Sequence, residues 1–347
     1  MIRTEYIVFV AAFVVTYVGV GWFRSWSLRK GYLDHPNERS SHETPTPRGG
    51  GLIIAAVTLA AYAGSSWYFD FKLSIGFVVG SLLVVAISWL DDIYSLSFAW
   101  RLVVHLLAAT AVILDLGYFD SVVFPFVETP LQVGVFGIGI SIIWIAWFIN
   151  AYNFMDGIDG IAGVQAVAAG LGWLIVGLLA GIPVATVIGG VVVFSSIGFL
   201  IHNWQPAKIF MGDAGSAFLG FTFASMPFLL REQGIMRAAL LPVVAVLFLW
   251  LFVFDSALTL IRRLIRGERV WTAHREHLYQ KMVIAGRSHQ FVSALYGGIA
   301  VAIAVSSALL VDQHNSTASY VSVVIVVFST TLLLAINTVK TKSNKKL

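Results

Sequence analysis

Residues 73–92 read LSIGFVVGSLLVVAISWLDD, an uncharged run of 18 residues that ends in two adjacent aspartates. A helix that crosses a bilayer needs about 20 apolar residues, so this run has the length of a membrane span. The stretches NAYNFMDGIDG at 150–160 and FMGDAGS at 210–216 also lie at the edges of apolar runs. An aspartate at the centre of a membrane helix costs about 2.5–3.5 kcal/mol on insertion scales. Five aspartates at three such edges therefore predict one shared polar site, suited to a hard cation and a phosphorylated substrate.

The composition extends this interpretation to the whole chain. Of 347 residues, 58% are hydrophobic and only 12% are charged, whereas soluble domains carry about 25% charged residues. The mean hydropathy is +0.85. We therefore predict an all-α polytopic membrane protein that forms a single helical domain over residues 1–347. The absence of cysteine excludes disulfides, thiolate nucleophiles and cysteine-based metal sites, so a metal would need Asp, Glu, Asn or His.

The hydropathy pattern predicts about 11 transmembrane helices. The first has no small-residue cleavage pattern after it, so we interpret it as a retained helix and not as a signal peptide. The predicted spans are 4–24, 51–69, 73–90, 100–117, 135–152, 161–180, 182–201, 215–230, 237–261, 290–311 and 318–339.

The distribution of Lys and Arg orients these spans. Arg24, the segments between alternate spans and the C-terminal tail 340–347 hold 18 of the 22 basic residues. Cytoplasmic loops carry such an excess of positive charge. The N-terminus is therefore predicted outside and the C-terminus in the cytoplasm, and all three acidic stretches fall on the cytoplasmic side. The predicted cytoplasmic loops are about 25–50, 91–100, 153–160, 202–214 and 262–289.

Asp91 and Asp92 end the third predicted span. Adjacent carboxylates repel each other, so the pKa of one should rise unless a cation lies close. That arrangement suits a metal ligand or a proton acceptor. The alternative is a solvated helix end, which is less favourable because a carboxylate at a helix C-terminus opposes the helix dipole.

Asn150, Asn153 and Asp156 are spaced three apart and share one face if the fifth helix continues that far. Gly157 and Gly160 then flank Asp159 and allow a ligand to approach the main chain. The alternative interpretation is a polar, glycine-rich turn.

Asp213 precedes the eighth span and lies between glycines. Mg²⁺ is usually held by one or two carboxylates together with substrate phosphates and water, which fits this position. The alternative is a helix N-cap.

The 262–289 loop contains His274-Arg275-Glu276-His277, whose side chains suit phosphate binding, although a positive cytoplasmic loop is the alternative. Arg48, before three glycines, has the chemistry to contact an anion or belongs to a plain loop. Asp255 within the ninth predicted span is interpreted as part of a structural polar network.

Together these stretches resemble the polyprenyl-phosphate N-acetylhexosamine-1-phosphate transferase family, glycosyltransferase family 4, from about residue 31 to residue 290. The resemblance rests on Pro47-Arg48-Gly49-Gly50, Asp91-Asp92, residues 150–160, residues 210–216 and the His-Arg loop. The loop differs from the triple-histidine form of the related phospho-MurNAc-pentapeptide translocase. It is more similar to the branch that initiates O-antigen and teichoic acid synthesis.

The resemblance implies a role for each matching residue. Asp213 would be the Mg²⁺ ligand, with Asn153 near the metal and Mn²⁺ as the alternative ion. Asp91 and Asp92 would handle the lipid phosphate, one of them as proton acceptor, and Asp156 would line the nucleotide-sugar site. The implied substrate-binding residues are Arg48, Asp159 for the uracil, Asn203 and Phe210 for the nucleoside, and His274, Arg275 and His277 for the diphosphate or sugar.

The implied reaction is transfer of HexNAc-1-phosphate from a UDP-sugar to undecaprenyl phosphate, with release of UMP, at the cytoplasmic face of a bacterial inner membrane. Direct attack and a covalent Asp-phosphate path both stay open. So do two other functions: a secondary transporter that uses the aspartates as a cation or proton site, and a non-catalytic lipid-binding protein. No nucleic acid partner is expected, and a homodimer is one open oligomeric form.

Overall fold

The computed structural model describes residues 4–36, 44–69, 71–124, 129–234, 238–268, 275–311 and 316–343, the last with side chains over 320–335. Its main elements are α-helices, with two short antiparallel strand pairs, Leu33–Asp34 with Thr46–Pro47 and Ser121–Val122 with Leu131–Gln132. The helices are α1 Thr4–Lys30, α2 Gly51–Tyr68, α3 Ile75–Tyr94, α4 Phe98–Leu116, α5 Gly137–Met155, α6 Ile161–Ala180, α7 Pro183–Asn203, α8 Asp213–Glu232, α9 Leu241–Phe248, α10 Trp250–Ile265, α11 Leu278–Ile284, α12 His289–Ala308 and α13 Ser316–Ser343.

Within the described ranges, nine helices are long and apolar enough to cross a membrane. They are α1 to α8 and α12, and each coincides with a predicted span. The all-α polytopic prediction is thus confirmed, and the chain is a multi-pass membrane protein. The last predicted span lies in α13, whose apolar described part, Tyr320–Ala335, is shorter than a full span.

The predicted span 237–261 is not one straight helix. It is divided into α9 and α10, which meet at an angle of 74° next to Leu249. Gln165 of α6 donates a hydrogen bond of 2.8 Å to the Phe248 carbonyl at this break. A side chain that satisfies a freed carbonyl is a recognised cause of a helix bend. The sequence does not reveal this division. Leu249 is apolar, so the hydropathy stays high, and the break contains neither glycine nor proline.

Helix α8 is the centre of the bundle, because 94% of its most apolar stretch of 18 residues is buried. It packs against α2, α3, α4 and α5. Small residues make this possible: a β-carbon at Gly220 would lie 2.6 Å from the Phe148 carbonyl oxygen, and one at Gly215 would lie 2.5 Å from the α-carbon of Gly51. Because α8 is fixed on several sides, its first residue, Asp213, has a fixed position.

Candidate active site

Two loops that are distant in sequence are joined by main-chain hydrogen bonds at the start of α8. Phe210 N donates to Pro47 O at 2.8 Å, Gly50 N donates to Phe210 O at 3.0 Å, and Gly51 N donates to Met211 O at 2.9 Å. These bonds place Arg48 beside the first turn of α8, which makes the Pro-Arg-Gly-Gly segment part of the same site as Asp213.

Glycine is required at the centre of this junction. Gly212 has a φ of +77°, a left-handed conformation that other residues rarely adopt. A β-carbon at Gly212 would lie 3.0 Å from Asp92 Oδ2, and one at Gly51 would lie 2.4 Å from the α-carbon of Gly215. The loops can therefore approach the carboxylates only because these side chains are absent.

Asp92, near the end of α3, is buried against the N-terminus of α8, with 4% of its side chain exposed. Its carboxylate lies against the main-chain N–H groups of Asp213 and Ala214, where a helix N-terminus favours an anion. Arg48 Nη1 is 3.7 Å from Asp92 Oδ1. Among the described residues, Oδ2 of Asp92 has no hydrogen-bond partner. A buried carboxylate oxygen without a donor is suited to a cation.

Asp91 has both carboxylate oxygens engaged. Oδ2 accepts a hydrogen bond of 2.5 Å from Arg101 Nη1, and Oδ1 accepts one of 2.7 Å from Leu96 N. The same Arg101 Nη1 lies 3.6 Å from Asp213 Oδ2. Arg101 thus connects Asp91, whose side chain is 9% exposed, with Asp213, whose side chain is 38% exposed. Of these two carboxylates, Asp213 is the more accessible to solvent.

Helix α5 continues to Met155, so Asn150 and Asn153 are both helical. They contact different neighbours. Asn153 Nδ2 donates to Ser216 Oγ of α8 at 3.0 Å, whereas Asn150 Nδ2 lies 3.3 Å from His105 Nδ1 of α4 and donates to Ala146 O. Only Asn153 therefore reaches the Asp213 region.

Asp156 caps α5 and lies among the other carboxylates. Burial raises its pKa to about 8, and the negative charges of Asp213, Asp92 and Asp159 add to that effect. Since these groups come from three separate segments, the predicted meeting of the three acidic stretches is confirmed. Their individual roles stay predictions.

A second group of polar residues surrounds Asp159. Its Oδ2 accepts a hydrogen bond of 3.1 Å from Ala207 N, and its Oδ1 is 3.5 Å from His289 Nδ1 at the start of α12. Asn203 Oδ1 accepts from Gly160 N at 2.9 Å, and its Nδ2 donates to Ile209 O at 2.9 Å. Both the oxygen and the nitrogen of the Asn203 amide are thus hydrogen-bonded to main-chain atoms. Its implied contact with a nucleoside stays untested, as does that of the half-buried Phe210 ring.

The C-terminal part of the His-Arg loop is fixed by buried Asp255. Asp255 Oδ1 lies 3.2 Å from His277 Nδ1, and both of its oxygens accept from Leu278 N at 2.9 Å. Tyr296 Oη donates to the same carboxylate at 3.3 Å. The structural network predicted for Asp255 is thus confirmed, and it determines where α11 begins. His274 lies outside the described residues, and Arg275 is half-buried two residues before the His277 cap.

Tyr279 connects α11 with the loop that carries Asp156. Its hydroxyl donates to Phe154 O at 3.4 Å. A β-carbon at Gly157 would lie 2.2 Å from that hydroxyl oxygen, so a side chain at 157 would force the two segments apart. Tyr279, whose ring stacks on that of His277, therefore links α11 to the segment that carries Asp156.

The donor set fits a divalent cation that is shared with a substrate. Among the residues that the structure describes, no three His, Cys, Asp or Glu side chains form a protein-only metal site. Mg²⁺ does not require one, because it is commonly bound by one or two carboxylates plus phosphates and water. Asp213 with Asn153 nearby supplies such ligands, and among the described residues the Oδ2 atom of Asp92 is a further oxygen without a hydrogen-bond donor close to them.

Three residues of the site were not predicted from the sequence: Arg101, His289 and Tyr279. Arg101 follows the Asp91-Asp92 pair after a short turn, and this closeness in sequence is the one signal by which it could have been found. His289 and Tyr279 reach the site only through the packing of α11 and α12, which no local pattern indicates.

Comparison with known proteins identifies the family. Residues 74–231, which run from the residue before α3 to the end of α8, match Glycosyl transferase family 4. The chain is 31% identical over 363 residues to a decaprenyl-phosphate N-acetylglucosaminephosphotransferase of Mycolicibacterium smegmatis, covering 94% of this chain and 87% of the relative. It is 28% identical over 257 residues to an undecaprenyl-phosphate alpha-N-acetylglucosaminyl 1-phosphate transferase of Thermotoga maritima, covering 72% of each. A relative with the same name from Salmonella typhi is 26% identical over 289 residues, covering 80% of this chain and 76% of the relative. The chain with this cluster of carboxylates therefore belongs to glycosyl transferase family 4.

Proposed function

We propose that this protein transfers N-acetylhexosamine 1-phosphate from a UDP-sugar to undecaprenyl phosphate at the cytoplasmic face of a bacterial inner membrane. UMP is released, and the lipid diphosphate sugar starts an envelope glycan. The observation that carries the proposal is the meeting of Asp91, Asp92, Asp156 and Asp213 at the ends of membrane helices. The relatives named above act on prenyl phosphates and N-acetylglucosamine 1-phosphate, which supports the same substrate classes here.

The reaction exchanges one phosphorus–oxygen bond for another. An oxygen of the lipid phosphate forms a bond to the β-phosphorus of the nucleotide sugar. The bond from that phosphorus to the oxygen shared with the α-phosphate breaks, and UMP leaves with the electron pair. Both reactants are anions, so the protein's main tasks are charge neutralisation and in-line positioning. Arg48 and Arg101 are the cationic side chains at the carboxylate cluster.

Asp213 and Asn153 would hold a Mg²⁺ ion, with Mn²⁺ as the alternative. When bound, the ion supplies charge neutralisation and orientation for the transferred phosphoryl group. Asp213 suits this role because its side chain is 38% exposed at the start of a fixed helix.

The surroundings of Asp91 and Asp92 favour direct displacement over a covalent Asp-phosphate. Arg101 and the Leu96 N–H engage both oxygens of Asp91, and Asp92 is 4% exposed beneath the start of α8. Neither carboxylate projects towards a reactant as a free nucleophile. We assign them instead to the acceptor side, where they position the cationic groups that meet the lipid phosphate and one of them accepts a proton.

The nucleotide sugar is assigned to the other side of the cluster. Asp156 and Asp159 line this side, and Asp159 is directed by Ala207 N and His289. Phe210 stacking and Asn203 serve the nucleoside in this proposal, and His274, Arg275 and His277 serve the diphosphate or sugar. Arg48, which lies on the 46–51 segment, contacts an anionic oxygen of the substrate in this proposal.

The test uses purified protein, undecaprenyl phosphate, Mg²⁺ and a panel of UDP-N-acetylhexosamines. For at least one donor, we expect equal amounts of UMP and of a sugar product that partitions into organic solvent. Absence of both products with every donor would overturn the proposal. A secondary transporter would yield neither product. The geometry does not favour that alternative, because these carboxylates lie at helix ends and not at the bilayer midplane where transporter sites are found.

A further inference from the structure

The position of Arg101 is not explained by local helix chemistry. It is the fourth residue of α4, near the positive end of that helix dipole, where a cation is disfavoured. Its Nε is buried and has no hydrogen-bond partner in the part of the chain that the structure describes. Both features cost free energy, so the nearby carboxylates must hold the side chain in place.

The guanidinium lies at the junction of two carboxylates from different helices. Nη1 is 2.5 Å from Asp91 Oδ2 and 3.6 Å from Asp213 Oδ2. Asp91 and Asp213 also lie close to each other. Two carboxylates that close repel, and a positive charge between them removes the repulsion. Arg101 therefore neutralises the same oxygens that a divalent cation would need.

We propose that Arg101 competes with the divalent cation for the junction between Asp91 and Asp213, and so sets the affinity of the site for metal. The inference rests on the metal site of the proposed function. A cation at Asp213 is repelled by a guanidinium a few ångströms away, because at this range the interaction of unit charges is strong even at an effective dielectric constant near 20. Anionic reactants relieve that repulsion, so metal and substrate bind cooperatively. Without substrate, the site therefore binds the metal ion weakly, and Arg101 keeps the two carboxylates in position.

The experiment measures Mn²⁺ binding to the purified protein in detergent, by the electron paramagnetic resonance signal of free Mn²⁺, without nucleotide or lipid. We expect Arg101→Gln to bind Mn²⁺ on the order of tenfold more tightly than the wild type, because the charge is removed. Arg101→Lys, which keeps the charge, should stay near the wild-type affinity. The matched control is Arg231→Gln, which removes an arginine paired with Asp120 at the other end of α8, and should change nothing.

A second variant keeps the inference testable if Arg101→Gln does not fold. In Arg101→Ala, millimolar guanidinium chloride should weaken Mn²⁺ binding towards the wild-type value, whereas the same salt should not affect the wild type. Unchanged, weaker or undetectable Mn²⁺ binding in the neutral variants would overturn the inference. The readout needs no turnover, so failure of the transferase assay and failure of this competition are separate results.

Discussion

The junction between the 46–51 segment and the start of α8 depends on contact between two glycines, and Gly51→Ala tests it. The new β-carbon would lie 2.4 Å from the α-carbon of Gly215 and 2.8 Å from Met211 Cγ, whereas ordinary contact begins near 3.4 Å. The two backbones must therefore separate by about 1 Å. Overpacking of this kind costs about 1–3 kcal/mol.

The same displacement has a consequence for activity. The hydrogen bond from Gly51 N to Met211 O is 2.9 Å long, and a separation of about 1 Å breaks it. Arg48 then moves away from Asp92. A misplacement of about 1 Å at a reacting site lowers the rate by about 100-fold. We expect Gly51→Ala to unfold at a lower temperature and to release UMP about 100-fold more slowly.

Gly64 provides the matched control, because it lies in the same helix and a β-carbon there meets no atom of the described residues within 4 Å. Gly64→Ala should leave activity unchanged and stabilise the helix by up to about 1 kcal/mol. Thermal unfolding in detergent and UMP release are measured for both variants. If Gly51→Ala unfolds and turns over like Gly64→Ala, the proposed dependence of the site on this contact is wrong.

Three further perturbations test other parts of the site. The folded-state pKa of Asp156, about 8, lies above the ordinary value of 3.8; the folded state therefore binds this proton more tightly, and stability in EDTA falls as the pH rises between those values. Asp156→Asn should flatten that part of the curve in thermal unfolding, and an unchanged slope would contradict the assignment. His289→Ala should raise the KM for the UDP-sugar more than it changes kcat, because Asp159 loses its contact with the His289 imidazole; Gln290→Ala is the control, and equal KM values for the two variants would count against the idea. Asp255→Asn replaces an acceptor of several hydrogen bonds and should lower the free energy of unfolding by about 1–3 kcal/mol; denaturant unfolding checks this, and wild-type stability would exclude the network as a support of α11.

The spans were predictable because membrane helices are long and apolar enough to be read from hydropathy alone. For that reason, the nine helices that are long enough to span a membrane in the described ranges coincide with predicted spans. The 237–261 span was predicted as a single helix, because the contact found at its division, from Gln165 of α6, is tertiary and leaves no local signal in the sequence.

The site was predictable to the extent that its groups are costly in a membrane. Asp91, Asp92, Asp156 and Asp213 stand out in an apolar sequence, and they do converge. The residues that orient them were harder to find. Arg101 looks like any basic loop residue, and His289 lies far from Asp159 in sequence, so only the packing of the helices reveals their contacts.

The most direct test of the account compares two aspartates at opposite ends of α8. Asp213 begins the helix, and Asp120 pairs with Arg231 near its end. UMP release from a UDP-N-acetylhexosamine is measured with undecaprenyl phosphate and Mg²⁺ for Asp213→Ala and Asp120→Ala, after folding has been confirmed for both. We predict that Asp213→Ala abolishes release and that Asp120→Ala retains it. Full activity of Asp213→Ala would contradict the claim that these carboxylates form a metal-assisted transferase site.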